Sequence, residues 1–264
     1  MKKYLVIGNP IDHSLSPKLH NYWLKIHKIN AIYEKKKLNE VDLKHLILQI
    51  QEGKISGANV TVPFKNKIIP FLDELSPGAE NTHSANTIYL SDNKIIGHNT
   101  DIDGFESSIK VAKHYVKNKK ALILGSGGVV PSIIFALHKM DASEIIVTNR
   151  TKNKAENLKK LFKNISIVNW GVVPDVDIII NATSLGLNKD DNFDLNFANI
   201  GKNKLFYDLI YNPSQTNFLK LVEKLGNKTE NGKMMFVYQA QKSFEKWHKV
   251  LPEVNKEVMD LLDD

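Results

Sequence analysis

The 264-residue chain contains no cysteine, a single arginine and no apolar run approaching the length of a membrane-spanning helix. Without cysteine there is no disulfide framework and no cysteine-ligated zinc, and the composition fits a reducing compartment. The start, Met1-Lys2-Lys3-Tyr4-Leu5-Val6-Ile7-Gly8, is basic, but its apolar run is too short for a secretory leader. A cytoplasmic location is therefore expected, with no membrane contact and no metal. At 42% hydrophobic and 25% charged residues, the composition is that of an ordinary globular protein. A chain of this length can bury a sizeable core without cross-links and suits two modest domains.

The scarcity of arginine matters because lysine is abundant: Lys and Arg total 36, and Arg150 is the one arginine. Lysine evidently serves wherever a plain positive charge is enough, so the guanidinium marks a place that needs a planar, bidentate donor. The net charge of +7 raises nucleic acid as a partner. The lysines argue against it. They are spread along the chain, as at Lys35-Lys36-Lys37, Lys119-Lys120 and Lys159-Lys160, and no basic run is interleaved with aromatics. Such a surface needs no nucleic acid, although a positive field favours anionic small molecules.

Apolar periodicity alternates between strand-like and helix-like segments, the pattern of an α/β protein with mostly parallel sheets. Strands are expected over 4–8, 31–38 and 57–62, with a helix over 41–51. Ser16-Pro17 opens another helix, with Leu19, Trp23 and Ile26 on one face. A hairpin is expected around Ser91-Asp92-Asn93, then a helix over 101–116. The pattern restarts at Ala121, with strands over 121–124, 144–148, 177–181 and 205–209. Helices are expected up to Met140 and over 154–162 and 215–225, and the segment 234–262 reads as helical with a break near Pro252. Two domains are expected: residues 1–101, with 236–264 packing back onto them, and residues 102–235.

The second domain opens with a buried strand, then Gly125-Ser126-Gly127-Gly128-Val129-Val130-Pro131, then a helix. Glycines let the backbone approach phosphates, and a helix N-terminus supplies N–H donors and a favourable dipole. The order strand, turn, helix, strand marks a Rossmann-type dinucleotide-binding domain. Val130 departs from the usual fingerprint, standing where a small residue commonly allows close helix packing. An NAD site places an acid about 20 residues beyond the turn. That region reads Thr148-Asn149-Arg150-Thr151-Lys152-Asn153-Lys154, with the lone arginine and no acid. A guanidinium can stack on adenine while pairing with a 2′-phosphate, so the expected cofactor is NADP.

Three polar clusters stand out in the first domain. Ser14-Leu15-Ser16-Pro17 places two hydroxyls at a helix entry, where serines more often cap. Asn59-Val60-Thr61-Val62-Pro63-Phe64-Lys65 puts Thr61 and Lys65 at the carboxyl end of a buried strand, the edge where open α/β sheets bind ligands. Asn99-Thr100-Asp101-Ile102-Asp103-Gly104 begins a helix, and Asp101 taken alone reads as its cap.

Together the motifs resemble the shikimate/quinate dehydrogenase family over nearly the whole chain. The carriers are Gly8-Asn9-Pro10-Ile11-Asp12-His13-Ser14-Leu15-Ser16-Pro17, the Asn59 to Lys65 run, Ala85-Asn86-Thr87 and the Asn99 to Gly104 run. Farther on stand Asn149-Arg150-Thr151, Asn181-Ala182-Thr183-Ser184-Leu185-Gly186, Tyr207-Asp208-Leu209-Ile210-Tyr211-Asn212-Pro213, Gly232 and Val237-Tyr238-Gln239-Ala240. The resemblance implies an N-terminal α/β substrate domain joined to the NADP-binding domain, and NADP-dependent interconversion of 3-dehydroshikimate and shikimate. Lys65 and Asp101 would be the catalytic pair and would also touch substrate. Ser14, Ser16 and Tyr211 would meet the substrate carboxylate, and Thr61, Asn86 and Gln239 the ring hydroxyls. The cofactor would lie on Gly125, Ser126, Gly127, Gly128, Val129, Asn149, Arg150, Thr151, Lys154, Thr183, Leu209 and Gly232. The chemistry asks for such a pair independently, since hydride addition to a ketone needs a proton donor at the developing alkoxide.

The family's usual Gly-Ala-Gly-Gly-Ala turn stands here as Gly125-Ser126-Gly127-Gly128-Val129, and Glu80-Asn81-Thr82-His83-Ser84-Ala85 replaces small apolar residues without a functional reading. Three alternatives remain at this point: an NAD-using quinate/shikimate dehydrogenase, a non-catalytic NADP-binding regulator on the same fold, and a nucleic-acid-binding protein. A monomer or homodimer acting on a small molecule is expected.

Overall fold

The structure, a computed structural model, describes residues 1–188, 190–191, 193 and 195–263. It divides into two compact units, Met1–Gly104 with Val237–Asp264, and Phe105–Phe236.

In the first unit, Tyr4-Leu5-Val6-Ile7 is buried throughout, as suits the inner strand β1 (Lys2–Gly8). Helix α1 (Ser16–Ile26) has Pro17 in its first turn, where the missing N–H costs nothing. Its buried side is Ser16, Leu19, His20, Trp23 and Leu24. Ile26, expected on that face, is 55% exposed, because it lies off the edge of the inward stripe. The chain continues through β2 (Ala31–Lys37), a 3-10 turn, α2 (Leu43–Gln51), β3 (Gly57–Val60), β4 (Glu74–Leu75), α3 (Pro77–Thr82), β5 (Thr87–Ser91) and β6 (Lys94–His98). Strand β3 ends at Val60, short of the expected Val62, and Pro63 has no N–H to extend the ladder. The sheet order is β2-β1-β3-β5-β6-β4. It is parallel from β2 to β3 and antiparallel through β5 and β6. The hairpin turns through Asp92 and Asn93, both at positive φ, as a tight two-residue turn requires.

The division between the units falls inside α4 (Asp101–Val111). This helix stops well before the expected Val116, at a left-handed residue, Lys113, where His114 N–H donates back to the Ile109 carbonyl. The second unit then runs β7 (Lys120–Leu124), α5 (Val130–Lys139), β8 (Glu144–Thr148), α6 (Lys152–Leu158), β9 (Ser166–Val168), β10 (Ile178–Asn181), β11 (Leu205–Asp208), α7 (Asn217–Lys224) and β12 (Lys228–Glu230). Its sheet, β12-β11-β10-β7-β8-β9, is parallel at every pairing. The strand order reverses between β7 and β10, the switch point at which such sheets bind ligands. Leu122, Leu124, Ile179 and Phe206 form one core with Phe197 and with Phe218, Leu219 and Val222 of α7.

The chain closes with α8 (Lys233–His248) and α9 (Lys256–Leu261), and residues from Val237 onward belong to the first unit. Trp247 anchors them there: its Nε1 donates to the Ile88 carbonyl at 3.2 Å. Gly57 makes room for it, since a Cβ there would meet Trp247 Nε1 at 2.7 Å. Among the described residues, no helix is long and apolar enough to cross a membrane.

Candidate functional site

In the first unit, the chain leaving β3 turns back at Thr61, whose carbonyl accepts from Phe64 N–H at 2.9 Å, and delivers Lys65 beside the start of α4. Lys65 Nζ donates to Asp101 Oδ2 at 2.5 Å. Their side chains are 12% and 7% exposed. Among the described ion pairs this is the one with both partners so nearly out of water; in each of the others at least one side chain is about a third exposed or more. Burying a pair costs desolvation that its attraction hardly repays, so it contributes little stability, and its presence points to chemistry. Asp101 is not the cap it resembles in isolation. It is the first helical residue, and its side chain faces Lys65 and Asn86.

Asn86 Nδ2 donates to Asp101 Oδ1 at 2.9 Å and to Gln239 Oε1 at 3.4 Å, while its Oδ1 accepts from Thr100 N–H at 2.8 Å. Lys65, Asn86, Asp101 and Gln239 thus form one cluster. The segment without a sequence reading supports it, because Ala85 N–H donates to the Lys65 carbonyl at 2.9 Å.

Ser14 and Ser16 lie together: Ser14 Oγ accepts from Ser16 N–H at 3.3 Å. The residue at the cap position is Leu15, whose side chain cannot cap; the first helical N–H, that of Ser16, is the one taken by Ser14 Oγ. The Tyr33 hydroxyl lies beside the Ser16 side chain and donates to Asn59 Oδ1 at 2.7 Å. Asn59 Nδ2 donates in turn to the Asn86 carbonyl and Ser243 Oγ, both at 2.9 Å. Tyr33, Asn59 and Ser243 therefore connect the two serines to the lysine–aspartate cluster, and sequence reasoning assigned none of them. No local pattern could have done so, because the bonds join residues far apart in the chain. Tyr33 also stacks on His20 at 4.2 Å, and burial, with a smaller push from His248, holds the His20 imidazole down at about 3.

In the second unit, a cleft of about 360 Å³ lies at the carboxyl edge of the sheet. Gly125, Ser126 and Gly127 line it from β7, Asn149, Arg150, Thr151 and Lys154 from β8 and α6, and Ala182 to Leu185 from β10. Gly125 has φ +110° and could not carry a Cβ without meeting the Ala182 carbonyl at 2.9 Å. Gly127 and Gly128 are different. A Cβ at Gly128 would meet nothing within 4 Å, so the absence of side chains there leaves space rather than filling it. No side chain caps α5; its first turn is closed by the backbone instead, Val130 N–H donating to the Gly127 carbonyl and Ser132 N–H to the Val129 carbonyl, both at 3.0 Å. Val130, the departure from the fingerprint, is fully buried at the first helical position. The lining carries two cations, Arg150 and Lys154, and no carboxylate among the described residues. A dinucleotide with a 2′-phosphate fits this donor set: glycines and a helix start for the pyrophosphate, cations for the extra phosphate.

The wall from β10 is held from behind. Thr183 Oγ1 donates to Asn181 Oδ1 at 2.7 Å, Asn181 Nδ2 donates to Asp208 Oδ1 at 2.9 Å, and Thr216 Oγ1 donates to Asp208 Oδ2 at 2.6 Å. Burial pushes the Asp208 carboxyl up, against the lowering effect of these bonds. Leu209 N–H donates to the Asn181 carbonyl, and Gly232 lies so close to the Leu209 carbonyl that any side chain would clash. Tyr211 stacks on Phe236, with centroids 4.8 Å apart. Gly128, Val129, Leu209, Tyr211 and Gly232 are outside the described lining of the cleft, whereas Trp170, which had no sequence reading, is part of it.

Known proteins match both halves of the chain. Residues 6–88 match the model of the shikimate dehydrogenase substrate binding domain, and residues 108–209 match that of shikimate / quinate 5-dehydrogenase. A shikimate dehydrogenase (NADP(+)) from Pelagibacter ubique is 59% identical over 262 residues, covering 99% of each chain. The crystal structure of shikimate dehydrogenase from Aquifex aeolicus superposes with a TM-score of 0.92 at 35% identity, covering 100% of this chain and 98% of that one. Shikimate 5-dehydrogenase from Thermus thermophilus, solved in complex with NADP(H) and shikimate, gives 0.89 at 28% identity, with coverage of 100% and 98%. A buried lysine–aspartate pair on one sheet, a glycine-lined cleft on the other and relatives matched end to end lead to one assignment: the chain belongs to the shikimate dehydrogenase family.

Proposed function

We propose that the chain is an NADP-dependent oxidoreductase that reversibly reduces 3-dehydroshikimate to shikimate, a step in the synthesis of chorismate and the aromatic amino acids. The observation that carries this reading is the buried Lys65–Asp101 pair. NADPH, when bound, supplies the hydride that adds to the ketone carbon. Lys65 gives its Nζ proton to the carbonyl oxygen as negative charge develops there, and takes a proton back when shikimate is oxidised. Asp101, held by Asn86, fixes the direction of the Nζ proton and balances its charge. Asn86, Thr61 and Gln239 hold ring hydroxyls, and Ser14 and Ser16 receive the carboxylate at the start of α1, where the helix dipole favours an anion. Residues 102–235 form the NADP-binding domain, and residues 1–101 with 236–264 the substrate-binding and catalytic one. Gly125 to Val129 cradle the pyrophosphate, and Asn149, Arg150, Thr151 and Lys154 hold the adenosine 2′-phosphate. Thr183, Leu209 and Gly232 lie toward the nicotinamide. The protein works in the cytoplasm as a monomer or homodimer.

The test is nicotinamide absorbance over time with shikimate and with quinate, each with NADP and with NAD. Turnover confined mainly to shikimate with NADP is expected. Comparable rates with quinate or NAD would replace this reading by the broader quinate/shikimate activity, and no turnover in any pairing would leave a binding protein.

A further inference from the structure

Trp170 lies two residues beyond β9, as Arg150 lies two residues beyond β8. The strands are parallel neighbours in which Thr148 is paired with Val168. Arg150 and Trp170 therefore leave adjacent strands, about 5 Å apart, at the same height. Both line the cleft. Trp170 is half-buried and packs against the core that contains Phe197, Phe206 and Phe218. That contact holds the indole in place before any ligand arrives, which lowers the entropy lost on binding. Gly171, at φ +98°, reverses the chain immediately afterwards. No ring among the described residues stacks on Trp170, and its half-buried side chain borders the cleft.

From this placement we infer that Trp170 is an adenine-binding residue of the cofactor site, and that the base sits between its indole and the Arg150 guanidinium. The inference rests on the reading of this cleft as the NADP site. Adenine presents a π-face to both partners: the guanidinium stacks on one side and the indole on the other. The two residues then have different consequences for selectivity. Arg150 also meets the 2′-phosphate and separates NADP from NAD. Trp170 touches only what the two cofactors share, so it raises affinity for both by the same factor and decides nothing between them.

The chain has three tryptophans, which makes the contact observable. Trp23 and Trp247 are 1% and 9% exposed and belong to the first unit. Adenosine 2′,5′-bisphosphate, which lacks the nicotinamide, is titrated into the full chain by calorimetry and by tryptophan fluorescence. The proteins are wild type, Trp170→Phe, Trp170→Leu and Arg150→Ala. Leucine keeps an apolar contact with the core but has no π-face, and thermal melts establish that each variant is folded. Quenching is expected in the wild type and absent from both Trp170 variants. Affinity should fall about tenfold in Trp170→Leu and only about twofold in Trp170→Phe. NADP and NAD should weaken by equal factors in Trp170→Leu, and unequally in Arg150→Ala. Wild-type binding without quenching, or a folded Trp170→Leu that binds like wild type, overturns the adenine contact while leaving the cleft as the cofactor site. If the wild type binds neither the bisphosphate nor NADP, the reading of the cleft falls as well.

Discussion

The two units place polar residues at the carboxyl edge of a sheet in opposite ways. The first buries them: Asn59, Asn86, Thr87, Thr100, Asp101 and Ser243 are nearly inaccessible and bonded to one another. The second leaves Gly127, Gly128, Arg150, Thr151 and Lys154 open to water, and buries only the supports behind them, Asn181, Asp208 and Thr216. The difference follows from what each is proposed to handle. A proton moved between a lysine and a ketone oxygen needs donors already fixed in a low-dielectric setting, where reorganisation costs least. A phosphate remains strongly hydrated, and backbone N–H groups with flexible cations can bind it without burying a charged side chain.

The largest expected effect separates the units by function. Lys65→Ala should lower kcat by about 10²- to 10⁴-fold while NADP binds within about twofold of normal, as read by steady-state rates and calorimetry. Near-normal turnover would remove Lys65 from catalysis. Arg150→Ala is the reciprocal test. It removes a charge-assisted contact with the 2′-phosphate, so NADP should weaken by about 10- to 100-fold and NAD far less. Equal losses for the two cofactors would defeat the 2′-phosphate assignment.

Smaller effects probe the buried network. Tyr33→Phe deletes the hydroxyl between Ser16 and Asn59, worth about 1 kcal/mol, and should raise the KM for shikimate about fivefold with kcat nearly unchanged. A fall in kcat at constant KM would mean that the network acts through Lys65 instead. The first unit should also be the acid-sensitive one. Burial holds the imidazoles of His20, His98 and His248 down at about 3, 4 and 4. Each takes its proton near pH 6.5 in the unfolded chain but resists it in the folded one. The unfolded state then binds more protons, and stability falls as pH drops from about 6.5 toward 4. His20→Phe keeps a ring against Tyr33 and removes one titrating group. Urea unfolding between pH 7 and 4.5 should show a slope reduced by about 1.4 kcal/mol per pH unit; an unchanged slope would assign the acid sensitivity to other groups.

Much of this molecule can be read from the chain because its strands are buried on both faces. The continuous apolar runs behind β1, β7, β8, β10 and β11 need no periodicity to be recognised. Strands β4, β9 and β12, of two or three residues, carry too little pattern to be seen, and the end of α4 depends on a left-handed residue that composition does not mark. Overlooking β9 also meant overlooking Trp170, since only a strand paired with β8 brings that residue beside Arg150.

By itself the sequence determined the α/β class, the family, the glycine turn and the single arginine after β8. These are local properties: a run of apolar residues, a spacing, a residue type at a strand end. Only the tertiary structure decided that Lys65 and Asp101 share a buried contact, that Ala85 supports the Lys65 backbone, and that Tyr33, Asn59 and Ser243 tie the serines to that pair. The physical reason is that these are hydrogen bonds between distant segments. Each has a definite partner only after the sheet has set the register of its strands, and strand register is a property of the folded sheet as a whole.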